Sequence, residues 1–414
     1  MNKVFRESFK LWIGLLFFLI FTLSFTFVHA QGNIKMGGIE IHPALEMQMQ
    51  WDDNIYNTPT NAVHDATDDI ITTITPGLSL SMGTDYKFGL GYSVAIHRYL
   101  DNGDEDYEPP TYKASMALNF PTGLKVTIND TYIETKDTRT ETDALRTSHS
   151  TNTISGKFKY TFPADNLSCD INISEFLLKY DQEANETVNR KEDSICAALY
   201  YRFLPKTSLF AGFGHTIIDY IDSISDAFDK DSKTISLDAG LKWEATCKIT
   251  GTLKCGYTKK TFDNPLDASG NPYNNKEIGS SATNLGYNLS ETTTLNFGIN
   301  RSLGETEYGG SASDNISKSA YYTNTGYMLG ISLKFINRIN LALGSDYQNH
   351  KYNKRETNKK RRRDEAMNYN IGLTYQIRKW LCTSLKYTYK SLDSNDNGKD
   401  QINNKALFSI AVSL

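Results

Sequence analysis

Cysteine and proline are scarce in this chain of 414 residues, and beyond the first thirty positions no apolar run is long enough to cross a bilayer as a helix. The five cysteines, Cys169, Cys196, Cys247, Cys255 and Cys382, are odd in number and widely spaced, with no CxxC pair and no matching histidine set. That spacing argues against a zinc centre and against a disulfide-stapled scaffold. Cys169, Cys247 and Cys255 share the apolar faces of their segments, and an inter-strand disulfide stays open only for an oxidising compartment. Positive charge is not in excess either: 44 Lys and Arg meet 48 Asp and Glu. Lys3, Arg6 and Lys10 lie in the leading segment, so the remainder is slightly more acidic still, which argues against nucleic acid as the main partner. Nor is there a catalytic signature. His42, His64, His97, His149, His215 and His350 stand in no local pattern with Ser or Asp that hydrolysis would need. No cofactor motif occurs, and the sequence reads as non-enzymatic.

What is present starts with the first segment. Met1 to Lys10 is positively charged, Leu11 to Phe27 is apolar, and Val28-His29-Ala30 offers a cleavage site. This is the pattern of a signal peptide over residues 1–30, with the mature chain starting at Gln31; the alternative is an uncleaved membrane anchor. After it, Tyr (25), Phe (20) and Gly (28) are plentiful, which suits strands with aromatic and small residues on opposite faces.

Period-two apolar sets recur to the end of the sequence. Examples are Tyr86, Phe88, Leu90, Tyr92, Val94 and Ile96; Ile235, Leu237, Ala239, Leu241 and Trp243; and Met367, Tyr369, Ile371, Leu373, Tyr375 and Ile377. The alternate positions are polar or small, as in Lys87, Gly89, Gly91 and Ser93. The last such set, Phe408, Ile410, Val412 and Leu414, runs to the final residue, as expected of a closing barrel strand with no free edge.

Short and long connections alternate. Tight turns are expected at Gly83–Asp85, Pro121–Gly123, Phe162–Asp165, Leu204–Lys206, Ala245-Thr246, Ser290–Thr292, Ile336-Asn337 and Arg378-Lys379. Polar loops separate them, from Asp101–Pro110 to Leu392–Asn403. The chain therefore reads as an all-β, antiparallel up-and-down outer-membrane barrel over 31–414, of about 18 strands with 16–18 compatible, short turns and both termini periplasmic. Tyr86, Tyr112, Phe120, Phe162, Phe203, Trp243 and Trp380 are expected in an aromatic girdle beside the tight turns, and Tyr99, Tyr132, Tyr180, Tyr220, Tyr347 and Tyr389 in one toward the loops.

One segment carries more specific information. Trp51-Asp52-Asp53-Asn54-Ile55-Tyr56, then Asp68-Asp69-Ile70-Ile71 and Pro76-Gly77, resembles the opening of the second family of β-barrel porins. The resemblance rests on Asp53, Asn54, Ile55, Tyr56, Asp68, Asp69, Pro76 and Gly77, and covers about the first two strands. It implies an outer-membrane barrel of the kind often associated with exopolysaccharide or capsule synthesis, and it brings no catalytic residue. Read physically, Asp52, Asp53, Asp68 and Asp69 could hold Ca²⁺, or could satisfy strand-end and loop amides; the spacing fits no EF-hand and favours capping. Pro76-Gly77 suggests a bulge or bend.

Two loops differ in charge. Asp101, Asp104, Glu105, Asp106 and Glu108 are acidic; Lys354, Arg355, Lys359, Lys360, Arg361, Arg362 and Arg363 are basic and could meet lipopolysaccharide phosphates or simply be solvated. Three functions follow: passage of an extracellular polysaccharide with its export machinery as partner, general diffusion, or a plugged structural or adhesion barrel. For a channel, Lys157, Lys159, Asp238, Lys242, Glu244, Lys254, Lys386 and Lys390 are the candidate pore-lining residues.

Overall fold

The computed structural model describes residues 34–60, 65–136, 148–181, 186, 188–221, 230–243, 248–264, 275–305, 321–336, 338–353, 361–396 and 398–413. Segment 1–30, expected to be a signal peptide, and Gln31, His64, Glu244, Cys247, Lys354, Arg355, Lys359, Lys360 and Leu414 lie outside the described residues, as does the expected Ala245-Thr246 turn.

The strands are β1 (Ile34–Met36), β2 (Ile39–Asp52), β3 (Asp69–Met82), β4 (Tyr86–Val94), β5 (Ile96–Tyr99), β6 (Pro110–Asn119) and β7 (Leu124–Lys136). They continue as β8 (Ser148–Thr161), β9 (Leu167–Tyr180), β10 (Arg190–Leu204), β11 (Thr207–Tyr220), β12 (Ser232–Trp243) and β13 (Ile249–Phe262). The last seven are β14 (Lys276–Asn288), β15 (Thr293–Glu305), β16 (Tyr321–Phe335), β17 (Ile339–Tyr352), β18 (Arg363–Arg378), β19 (Leu381–Ser394) and β20 (Gln401–Ser413). Neighbours pair antiparallel all the way round, and β2 pairs with β20 from Ala44↔Ser413 to Asp52↔Lys405, so the sheet is closed. Closure leaves no wall edge to aggregate or to meet lipid unpaired.

Twenty segments make an eighteen-stranded wall, because β4 and β5 are one strand and β1 is an addition. β3 pairs with both β4 and β5 in one continuous register, Gly77↔Ser93 and then Ile74↔Ile96. The interruption falls opposite Pro76, which has no N–H to give the ladder. The bulge expected at Pro76-Gly77 is therefore absent; the register shifts occur instead at Arg202/Leu204 and Gln376/Arg378. β1 turns back through Gly37 (φ +63°) onto Ile39–Ile41. β3 holds one edge of β2 along its whole length, so β1 occupies the edge that β20 leaves free beyond Ser413.

The apolar phase of each strand faces out. Leu90 is 62% exposed and Leu329 63%, and Phe88, Leu237, Phe297, Ile371 and Leu385 are likewise exposed although they sit in regular ladders. Such a continuous apolar exterior is stable only against lipid. Tight turns close one end: Gly83 (φ +90°) and Gly123 (φ +87°) adopt backbone that a side chain would strain, and a Cβ on Gly83 would lie 1.9 Å from the Tyr86 carbonyl.

The aromatic rows need amendment. Tyr86 packs on Phe120, and Tyr160 on Phe162, beside the tight turns. Tyr112 does not join them, because β6 starts from a long connection; it packs between Tyr92 and Tyr132 at the other end. Tyr99, Tyr180 and Tyr220 belong to the inward phase, paired with or beside polar lumen positions, so they cannot be part of an outer girdle. Tyr347 and Tyr389 do lie outward, against Tyr327 and Tyr369.

Candidate functional site: seam, rim and interior

The motif that begins at Trp51 sits where the barrel closes. The Asp52 carboxylate accepts from the Asn403 amide (2.8 Å), the Asn54 backbone N–H (3.1 Å) and the Lys405 ammonium (2.8 Å). Asp53 accepts from the Asn404 backbone N–H (2.6 Å) and side-chain amide (2.5 Å). Asn54, 2% exposed, donates to the carbonyls of Thr58 and Ile402 and accepts the Thr58 N–H. First and last strands are thus tied by side chains as well as by the ladder.

Asp69 does the same for the next loop. Its carboxylate accepts backbone N–H groups from Ile70, Leu100, Asp101 and Asn102, plus the Asn102 amide. Ile55 is buried beneath, and Tyr56 donates to Asn102. The oxygens expected to be open to Ca²⁺ are occupied by N–H donors, while Asp68 is exposed and apart from them. Among the described residues no group of three or more His, Cys, Asp or Glu could hold a metal ion. Asp52, Asp53 and Asp69 act as caps.

Inside the wall, the seven described pore-lining candidates all occupy the phase opposite the exposed apolar side chains. They do not form one cluster. Lys157 faces Asp170 (3.9 Å) and Lys254 pairs with Asp238 (3.1 Å). Lys159 and Lys242 line a recess with Tyr200 and Arg202, and Lys242 stands 5.0 Å over the Tyr200 ring. Lys386 and Lys390 project from β19 and are exposed.

Sequence reasoning missed cations of the same phase, Lys113, Lys125, Arg202 and Lys334, and placed Lys87 on that phase without counting it as pore-lining. The period-two pattern contained them, since each alternates with outward apolar residues. Lys87, Lys125, Lys159, Arg202, Lys242 and Lys334 each lie within three residues of a short-turn end, so together they make a basic rim at that mouth. Over the eighteen wall strands, as far as they are described, the inward phase carries fifteen Lys or Arg against nine Asp or Glu, although the whole chain is net negative.

At the long-connection end the wall departs from regularity. β14 and β15 pair only from Ser281↔Arg301 to Asn288↔Thr294, leaving Lys276–Ser280 and Ser302–Glu305 outside that ladder. Glu305 shares the phase of outward Phe297, yet its carboxylate accepts from Lys260 (2.5 Å) and Tyr220 (3.4 Å), which are inward on β13 and β11. Tyr321 likewise stacks on inward Phe262, centroids 5.9 Å apart. The ends of β15 and β16 therefore lean into the barrel. Lys260 is fully buried there, beside buried Arg190 and Lys230. Burial holds the Lys230 ammonium below the usual lysine range, with Glu305 pulling it back up.

The four described cysteines, Cys169, Cys196, Cys255 and Cys382, are free thiols; Cys169 and Cys255 lie on the outward phase and Cys196 and Cys382 on the inward one.

Comparison with known proteins places this geometry. No curated protein sequence matches the chain. Among solved structures, OccK1 (OpdK) of Pseudomonas aeruginosa aligns with a TM-score of 0.52 at 12% identity, covering 90% of this chain and 99% of that one. OpdO of the same organism aligns at 0.51 and 14% identity, covering 90% and 97%. OpdQ, also from Pseudomonas aeruginosa, aligns at 0.51 and 11%, covering 91% and 98%. These likenesses establish the fold. The family described as "Putative beta-barrel porin 2" matches residues 28–413, nearly the whole chain, and the protein belongs to that family as a porin-like barrel of the bacterial outer membrane.

Proposed function

We propose that the barrel is a water-filled, non-enzymatic diffusion channel that favours small anionic solutes, with its termini and short turns in the periplasm. The observation that carries this reading is the charge of the inward phase, above all the basic rim of Lys87, Lys125, Lys159, Arg202, Lys242 and Lys334. An eighteen-stranded wall encloses room for water, and a mouth lined by one sign of charge concentrates the opposite ion. Among the described residues no helix or separate domain fills the interior. The leaning ends of β15 and β16 narrow the opposite mouth without reaching the basic rim.

Passage of an extracellular polysaccharide, which the family resemblance suggested, gains no support from the solved neighbours. It remains a test arm because an acidic sugar polymer is also an anion. OpdK was solved with vanillate, a small carboxylate, which makes vanillate a convenient probe here.

The test is conductance in a planar bilayer across a KCl gradient. Stable steps with a zero-current potential of anion-selective sign are expected, with vanillate carrying or blocking current. Cation selectivity would overturn the charge argument, and refolded barrel without steps would overturn the open channel. Block by acidic polysaccharide but not by vanillate would replace the small-solute reading with polymer passage.

A further inference from the structure

We infer that the outer face of the barrel, at the β14–β15 notch, is a binding site for the phosphate groups of a membrane lipid. A cavity of ≈ 500 Å³ lies there, where the ladder between the two strands has ended. It is lined by Lys276, Arg301, Lys351, Arg361, Arg362 and Arg363, with hydroxyl and amide groups between them, and no carboxylate lines it. Arg362 and Arg363 are held by Asp364 and Glu365 at 2.6 Å. Lys276, Arg301, Lys351 and Arg361 meet no carboxylate among the described residues. Four uncompensated cations around one cavity repel each other, and an anion with several acceptor oxygens relieves that repulsion.

Position selects a lipid phosphate rather than a solute. Thr325, Lys351 and Arg363 follow the phase of exposed Tyr327, Leu343 and Tyr369 on the same strands, so they face away from the lumen. Arg301 stands in the notch itself and also borders the interior recess of Asp238 and Lys254, and Lys276 reaches the cavity from the inward phase of β14. Tyr327 and Tyr347 stack as part of the outward aromatic row, and such rows mark the boundary between hydrocarbon and head groups. Thr325 and Thr323 lie two and four residues beyond Tyr327, and Lys351 four beyond Tyr347. At about 3.3 Å per residue this puts the cations at the depth of head-group phosphates. The inference rests on the membrane placement of the barrel but not on the channel being open.

The experiment uses full-length barrel purified in a neutral detergent, with native mass spectrometry as the readout and heat-modifiable migration as the folding control. The probes are bisphosphorylated lipid A, the same lipid with its phosphates removed, and inorganic phosphate. Retention of the bisphosphorylated form alone is expected. Arg301→Ala with Lys351→Ala, both exposed positions, should weaken it roughly thirtyfold, the effect of two cations near a membrane surface. Equal retention of the dephosphorylated lipid, or undiminished binding to the folded double variant, would overturn the site. Competition by inorganic phosphate at equal concentration would overturn the lipid as its occupant. A protein that stays soluble without detergent would defeat the membrane placement before any titration, and so separates the two failures.

Discussion

Individual residues show how a wall in lipid differs from one in water. Asp130 is the central residue of β7 and belongs to the outward phase, between Ala114 and Ile154. One of its carboxylate oxygens is buried without a hydrogen-bond partner, in a groove lined by Leu80, Leu90, Tyr92, Tyr112 and Tyr132. A carboxylate at that depth costs stability. Asp130→Leu should therefore stabilise the barrel by about 1–2 kcal/mol, less than the penalty known for a mid-bilayer cation, as read from urea unfolding in phospholipid vesicles. An unchanged or lower stability would mean that Asp130 has a partner in the membrane. Asn54 is the opposite case, a polar residue buried for the sake of its bonds. Asn54→Ala removes donors to Thr58 and Ile402 and the acceptor for Thr58 N–H, and should cost about 2–3 kcal/mol at about 1 kcal/mol per bond. The midpoint of heat modification on a gel would fall accordingly.

At the scale of elements, the informative departure is the pair β15 and β16. Sequence alternation puts Glu305 on the outward face, and the lower part of β15 obeys it. The far end does not, because an ion pair with buried Lys260 and the stack of Tyr321 on Phe262 draw both strands inward. Lys260→Ala removes the ion-pair partner of Glu305, and breaking a buried pair costs about 3–5 kcal/mol. The same variant should release the leaning ends, giving a larger or noisier single-channel step. A step identical to wild type would show that these strands do not narrow the path. The seam β2–β20 and its motif behave differently: the carboxylate oxygens of Asp52, Asp53 and Asp69 all have structural donors, and Asp68 stands exposed and apart, so chelator should leave the heat-modification midpoint unchanged. A lowered midpoint in EDTA would restore the cation reading of Asp52, Asp53 and Asp69.

For the whole molecule, charge is segregated rather than merely counted. The chain is net negative, but its inward phase is net positive, because many acidic residues sit in connections and on outward strand ends. Replacing both Lys159 and Lys242 with Glu reverses two charges in one recess of the rim. The zero-current potential should move toward cation selectivity while the barrel stays heat-modifiable, since neither lysine is in a salt bridge with a buried carboxylate.

Alternation and connection length were enough, in the sequence alone, to specify an antiparallel barrel of about eighteen strands, its short-turn and long-connection ends, and the lumen phase of Lys157, Asp238 or Lys386; the exact count came from the register that merges β4 with β5 and sets β1 apart. Both signals are local: side-chain phase is fixed by a period of two, and tight turns declare themselves through Gly and Pro. Family membership was readable for the same reason, in a dozen residues around Asp53 and Asn54. Tertiary structure alone decided what those residues do, because their partners Asn403, Asn404 and Lys405 lie at the other end of the chain and only closure brings them within reach. It also decided that Tyr112 joins Tyr92 and Tyr132, that Glu305 turns inward, and that six cations from four strands and one connection surround one notch. Each depends on register and tilt between strands, which no single segment encodes.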